Sequence, residues 1–266
     1  MNEVTVLSQD FAGSILDVEY LSDRPVAVLT LNNPPFNIVT VPTREHFAAV
    51  FQEIEARDDV RLVVVQSRGD HFSSGGDIPG FLEMSPEYLS HLAYNVGAPE
   101  RCSKLVIARL AGYTFGVGLE IAMACDFRIA SSTTVMALPE MRLGMIPGSG
   151  GTQRVARIAG IGRAKDMILR ARRIPAEEAK SWGLITDVVA PDSLDERVWH
   201  LVDELLAFSP LAQAKAKVAI NQSLETPLAT GLAFEGQMYG FLRTTEDFHE
   251  GVASFKEKRR PKFQGK

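Results

Sequence analysis

The chain has 266 residues, 45% of them hydrophobic and 23% charged, with a formal net charge of −5 and two cysteines. That length buries a large core without staples, and the mild acidity lacks the basic stripe of a nucleic-acid binder. Cys102 and Cys125 supply neither a disulfide framework nor a metal-ligand spacing, so they read as small buried residues of a protein in a reducing cytoplasm, with no metal expected.

Residues 1–13, MNEVTVLSQDFAG, carry acidic side chains and no early Arg or Lys, unlike a signal or transit peptide. No apolar run nears the ~20 residues that span a bilayer. SILDVEY (14–20) and PVAVLTLNN (25–33), separated by LSDR, predict a β-hairpin, and NNPPFN breaks its second strand. From Pro42 to Arg57, Phe47, Val50, Phe51 and Ile54 recur at helical spacing, with Thr43 as the expected N-cap. LVVVQS (62–67) reads as a fully buried strand, which makes strand, helix, strand: the rhythm of a layered α/β domain. Residues 100–132 repeat it, with strand LVIARL, a glycine-rich turn, a short apolar helix and strand DFRIA.

Beyond about Pro147 the texture turns helical, in GGTQRVARIAG, GRAKDMILRA and AEEAKSWGL. Ser209-Pro210 and Thr226-Pro227 are N-cap and N1 pairs that open two further amphipathic helices. The expected organisation is an α/β core over residues 1–199 and a helical C-terminal region over 200–266, with the one basic cluster, KEKRRPK (256–262), at its end.

Two turns stand out. SSGGD (73–77) follows strand LVVVQS, and GYTFGVGLE (112–120) follows strand LVIARL and opens a helix. Either they only reverse the chain, or they lie side by side and aim two backbone N–H groups at one oxygen, as in an oxyanion hole. GVGLEI lacks the third glycine of a dinucleotide fingerprint. Glu120 interrupts the apolar helix GLEIAMACD, and Glu140 sits isolated in ALPEMRLGMIPGSGG. They are either a helix-surface and a loop carboxylate, the latter paired with Arg128 or Arg142, or a convergent pair in which like charge raises one pKa and yields one proton donor and one acceptor. No histidine has a convincing nucleophile beside it; His71, next to the first turn, is the one that most needs checking.

With LNNPPFN (31–37), HFSSGGDI (71–78), LAGYTFGVGLEIAMACDFRIAS (110–131), ALPEMRLGMIPGSGGTQR (137–154), AKSWGLITDVV (179–189) and EDFHEGVASFKEKRRPKF (246–263) in this order, the chain resembles the crotonase (enoyl-CoA hydratase/isomerase) superfamily. The resemblance implies a spiral of repeated ββα units with a helical C-terminal trimerisation region, and a homotrimer or dimer of trimers. It implies that Gly76 and Val117 give the two oxyanion-hole N–H groups to a coenzyme A thioester, with Val117 standing where many relatives have glycine. Ser74, Gly75, Asp77, Ile78 and Gly116 would line that site, and Phe255 and Lys258 would lie near the nucleotide. Glu120 would take a proton from water adding to C3 of a 2-enoyl-CoA, and Glu140 would protonate C2. Coenzyme A is then part of the substrate and no separate cofactor is needed.

The alternatives are isomerisation or hydrolysis of a CoA ester on the same fold and, from another class, a non-catalytic CoA-ester or RNA-binding scaffold. The segment 80–98, with Phe81, Leu82, Met84, Tyr88, Leu89 and Tyr94, is expected to line an apolar acyl pocket.

Overall fold

The computed structural model describes residues 14–266; the leader reading of residues 1–13 lies outside them. Strands β1 (Leu16–Tyr20), β2 (Val26–Leu31), β3 (Leu62–Ser67), β4 (Leu105–Leu110), β6 (Phe127–Ser131) and β9 (Asp187–Val189) form a six-stranded sheet in the order β1-β2-β3-β4-β6-β9. β1 and β2 make the antiparallel hairpin; every other pair is parallel. A second sheet pairs β5 (Tyr113–Phe115), β7 (Val135–Ala137) and β8 (Ile174–Pro175). Single bridges from Ser73 to Thr114 and from Gly76 to Val39 extend it.

The continuous apolar runs of the large sheet follow from burial on both faces. Side chains alternate along a strand. Ala27, Leu29 and Leu31, Val63 and Val65, and Val106, Ala108 and Leu110 join the larger core. Val26 and Val28, Leu62 and Val64, and Leu105 and Ile107 face the other way, under Leu194, Val198, Leu201 and Val202 of α10 (Leu194–Leu206).

α1 (Val41–Glu55) crosses from β2 to β3, and the short helices α2 (Ile78–Phe81), α3 (Pro86–Ser90), α4 (Leu92–Val96) and α5 (Ala98–Arg101) cross from β3 to β4. The N-cap of α1 is Thr40, whose hydroxyl accepts the Thr43 N–H, so the cap lies one turn before the expected Thr43. Between β4 and β6 the chain runs through β5 and α6 (Val117–Ala124); between β6 and β9 it runs through β7, a 3-10 turn over Glu140–Leu143, α7 (Gly151–Ala159), α8 (Ile161–Leu169), β8 and α9 (Ala176–Ser181). Each return from the large sheet thus passes through the small one, which makes the repeated unit a ββα spiral.

α10 runs through residue 200, where the sequence places the start of the helical region. α11 (Pro210–Gln222) opens at Ser209, which caps Ala212 N as expected. Thr226 does not cap α12 (Leu228–Leu242): its hydroxyl donates to Gln222 O, and Pro227 holds the N-cap position. No residue of α12 is buried, and Leu228, Leu232, Tyr239 and Phe241 are exposed. α13 (Glu246–Glu257) ends at Lys258 in the left-handed region. Lys217 of α11 is buried and donates to Asp126 Oδ2 at 2.7 Å, Pro99 O at 2.7 Å and Lys104 O at 2.9 Å, tying the C-terminal helices to the core. Cys102 and Cys125 are free and buried. Among the described residues, no helix is long and apolar enough to cross a membrane and no cluster could hold a metal ion.

Candidate active site

The two glycine turns leave neighbouring strands β3 and β4 at the same end and meet through the Ser73 and Thr114 bridge. In the other bridge, Val39 N donates to Gly75 O and Asp77 N donates to Val39 O, so the intervening Gly76 has its own N–H turned away from Val39 and unused there. Val117 is the first residue of α6, where an N–H has no acceptor within the helix. Gly116 sets up that start at φ 52° and ψ −129°, and a Cβ added to it would stand 3.5 Å from Gly75 Cα and 3.2 Å from Glu140 Oε1.

Alanine at 116 is therefore strained and crowds both the opposite turn and a carboxylate. The expected result for Gly116→Ala is a loss of about 10²-fold in kcat/KM from displaced donors, with a native circular dichroism spectrum; an unchanged rate would show that the turns need not approach.

Glu120 is 2% exposed in a helix whose residues are all buried, which rules out the surface reading. Its Oε1 accepts Ser149 N at 2.7 Å and Gly151 N at 2.9 Å, at the head of α7. Burial raises its pKa, against those two N–H groups and the charges of Arg44 and Arg154. Glu140 opens the 3-10 turn, and its Oε2 is buried without a partner. Neither Arg128 nor Arg142 pairs with it: Arg128 donates instead to Leu184 O, Ala122 O and Cys125 O. Burial first, and the Glu120 charge after it, push Glu140 up to about 7.

Sequence reasoning missed Arg44. It lies on the buried face of α1, 5% exposed, three residues before Phe47, and an arginine interrupting that apolar stripe was the available signal. Burial lowers its pKa to about 10, while Glu120 and Glu140 oppose the drop. It also missed the GSGG stretch at 148–151, whose backbone N–H groups ahead of α7 hold the Glu120 carboxylate, as helix N-termini hold anions.

The other expected residues divide in two. Ser74 N donates to Phe36 O, Gly75 adopts φ 121°, Asp77 is the N-cap residue of α2, and Ile78, 43% exposed, begins that helix; all lie in the first turn. Phe255, 85% exposed, is on α13 and Lys258 caps its end; neither makes a hydrogen bond, ion pair or ring contact with either turn among the described residues. Of the segment expected to line the acyl pocket, Phe81 reaches Gly76, where an added Cβ would lie 3.1 Å from its ring, whereas Leu82 and Tyr94 are 90% and 61% exposed. His71 is stacked on Tyr113 with ring centroids 4.2 Å apart, and its Nδ1 accepts Tyr113 N, which is a structural role. A cavity of about 820 Å³ lies between α7 and α11 and is lined by residues such as Met123, Arg154 and Lys217, with neither Glu120 nor Glu140 in its wall.

Two adjacent turns with free N–H groups can stabilise an oxyanion, and a buried and a half-buried carboxylate beside them, Glu120 and Glu140, can move protons. The family description Enoyl-CoA hydratase/isomerase matches residues 22–266. The chain is 38% identical to YngF of Bacillus subtilis over 92% of this chain and 96% of that protein. It is 37% identical to the short-chain-enoyl-CoA hydratase of Clostridium acetobutylicum over 88% and 92%. The crystal structure of an enoyl-CoA hydratase from Bacillus anthracis superposes with a TM-score of 0.88 at 34% identity, covering 95% of this chain and 100% of that one. With a match that spans β2 to β9, both turns and the C-terminal helices, the chain belongs to the enoyl-CoA hydratase/isomerase family.

Proposed function

We propose that the protein adds water across the double bond of 2-enoyl-CoA thioesters, giving 3-hydroxyacyl-CoA. The observation that carries this reading is the pair of carboxylates beside the two glycine turns, Glu120 buried and Glu140 half-buried with its Oε2 out of solvent and unpartnered and its pKa pushed up to about 7. In the proposed mechanism Gly76 N–H and Val117 N–H bind the thioester oxygen and stabilise the enolate-like charge that develops as water attacks C3. Glu120, held in place by Ser149 and Gly151, accepts the water's proton. Glu140 delivers a proton to C2. Ser74, Gly75, Asp77, Ile78 and Gly116 shape the mouth of this site, and Phe255 and Lys258 would serve the nucleotide of a neighbouring subunit's ligand. Coenzyme A enters as part of the substrate. The proposed assembly is a trimer or pair of trimers in the cytoplasm, a reading supported by the uncovered apolar side chains of α12 and the free thiols.

The pH dependence tests the proton assignment. A carboxyl raised to about 7 keeps its proton below that pH and loses it above. kcat/KM for crotonyl-CoA, followed as loss of thioester absorbance, is therefore expected to fall about tenfold per unit above pH ~7 as the donor form of Glu140 disappears. On the acid side it falls as Glu120, itself raised, takes up a proton. No hydration of any 2-enoyl-CoA rejects the reading; hydration with a flat profile from pH 6 to 9 rejects Glu140 as the acid.

A further inference from the structure

Arg44 presents a buried guanidinium with little to bind. Of its five N–H donors, a single hydrogen bond is made, from Nη1 to Ser149 Oγ at 3.2 Å. Nε is buried with no acceptor, and among the described residues no carboxylate lies within ion-pair distance, although both glutamates are near enough for their charge to be felt. The group is fixed in place. Its Cζ sits 5.2 Å from the Phe81 ring centroid, and its Nη2 lies 2.8 Å from where a Cβ on Gly76 would stand. Ser149, its one partner, also supplies an N–H to Glu120. The guanidinium thus links the Gly76 turn to the Ser149 that holds the Glu120 carboxylate.

A buried cation with unused donors is costly unless an anion completes it. The planar fork of a guanidinium matches a carboxylate bidentately. We propose that Arg44 is the receptor for a second carboxylate on the acyl group, so that the preferred substrates are short 2-enoyl-CoA thioesters whose acyl chain ends in a carboxylate. This rests on the hydratase reading for its chemistry, and it replaces the wholly apolar acyl pocket expected from the 80–98 segment. An unsubstituted acyl chain would leave the same donors unmatched, which is the situation in which a polar site discriminates strongly.

The test compares chain-matched pairs: pent-2-enedioyl-CoA with pent-2-enoyl-CoA, and hex-2-enedioyl-CoA with hex-2-enoyl-CoA. In the wild type the ratio of kcat/KM within at least one pair is expected to favour the carboxylated substrate about 100-fold. Arg44→Met should bring that ratio to about 1, and Arg44→Lys, which keeps the charge without the fork, should leave an intermediate value. Binding of pentanedioyl-CoA against pentanoyl-CoA, and of hexanedioyl-CoA against hexanoyl-CoA, by calorimetry gives the same ratios without chemistry. A wild-type ratio near 1 in both pairs overturns the proposal, as does a preference that survives Arg44→Met. Equal losses on both members of a pair in Arg44→Met overturn it too, since they would mean that Arg44 only balances the charges of the two glutamates. If no enoyl-CoA is hydrated, the hydratase reading fails, and the binding ratios alone still decide the role of Arg44. Should Arg44→Met not fold, the wild-type and Arg44→Lys ratios decide it.

Discussion

Glu120→Gln is expected to lower kcat/KM for hydration of the best 2-enoyl-CoA by ~10²–10⁴, the range for loss of a general base, while leaving the fold intact. Glutamine is close to isosteric, and its amide oxygen can still accept from Ser149 N and Gly151 N, so the geometry at the head of α7 survives. What it cannot do is take a proton from water. Glu140→Gln is expected to fall comparably by removing the donor. The double variant should lose far less than the product of the two, because residues that act on one water are a unit. The measurement is the initial rate of absorbance loss for the three variants beside the wild type. A wild type that turns over its thioester and a Glu120→Gln variant within a few-fold of it would favour a one-carboxylate reaction, in which Glu140 alone shuttles a proton as in an isomerisation.

Lys217→Met is expected to destabilise the protein by ~3–5 kcal/mol, the cost of leaving one member of a buried ion pair unmatched. The ammonium is 3% exposed and Asp126 15%. Burial already pushes the Asp126 pKa up, and Lys217 is the largest opposing influence. Without the ammonium, Asp126 keeps only the Val106 N–H, at 2.7 Å, and the carbonyls of Pro99 and Lys104 lose their donor. Urea unfolding reads the change. The double variant Lys217→Met with Asp126→Asn should be more stable than the single one, because it removes the orphaned charge. A single-variant loss below ~1 kcal/mol, or a double variant no better, would show that the pair does not anchor α11.

The parts of the fold legible in the sequence are those with enough residues to display a period. β2, β3 and β4 are six residues each and apolar on both faces, so their burial could be read directly. β5, β7 and β8 have three, three and two residues, too few to show an alternation, and their pairing is set by where β4 and β6 deliver the chain. Glu120 was legible because a carboxylate in the middle of an eight-residue apolar helix has no solvent-facing side to occupy. Arg44 carried a weaker signal, its place three residues before Phe47 on the apolar stripe, which its neighbours Glu45 and His46 obscure because one more charge in that run looks like a solvated face. Only the packing of α1 against Gly76 and Phe81 turns it inward.

The hold of Glu120 on the 149–151 backbone places two kinds of selection on one position. The carboxylate is both the group assigned to the water and the acceptor that keeps the first N–H groups of α7 satisfied. A descendant that gave up water chemistry would still need an oxygen at 120, so glutamate or glutamine is the residue expected to persist there. Alanine or leucine would be tolerated only alongside a rebuilt 148–151 turn. Drift at this site is therefore slowed by architecture as well as by its proposed part in catalysis, and a change of reaction is easier to reach by altering Glu140, whose carboxylate takes no backbone hydrogen bond but that of its own residue.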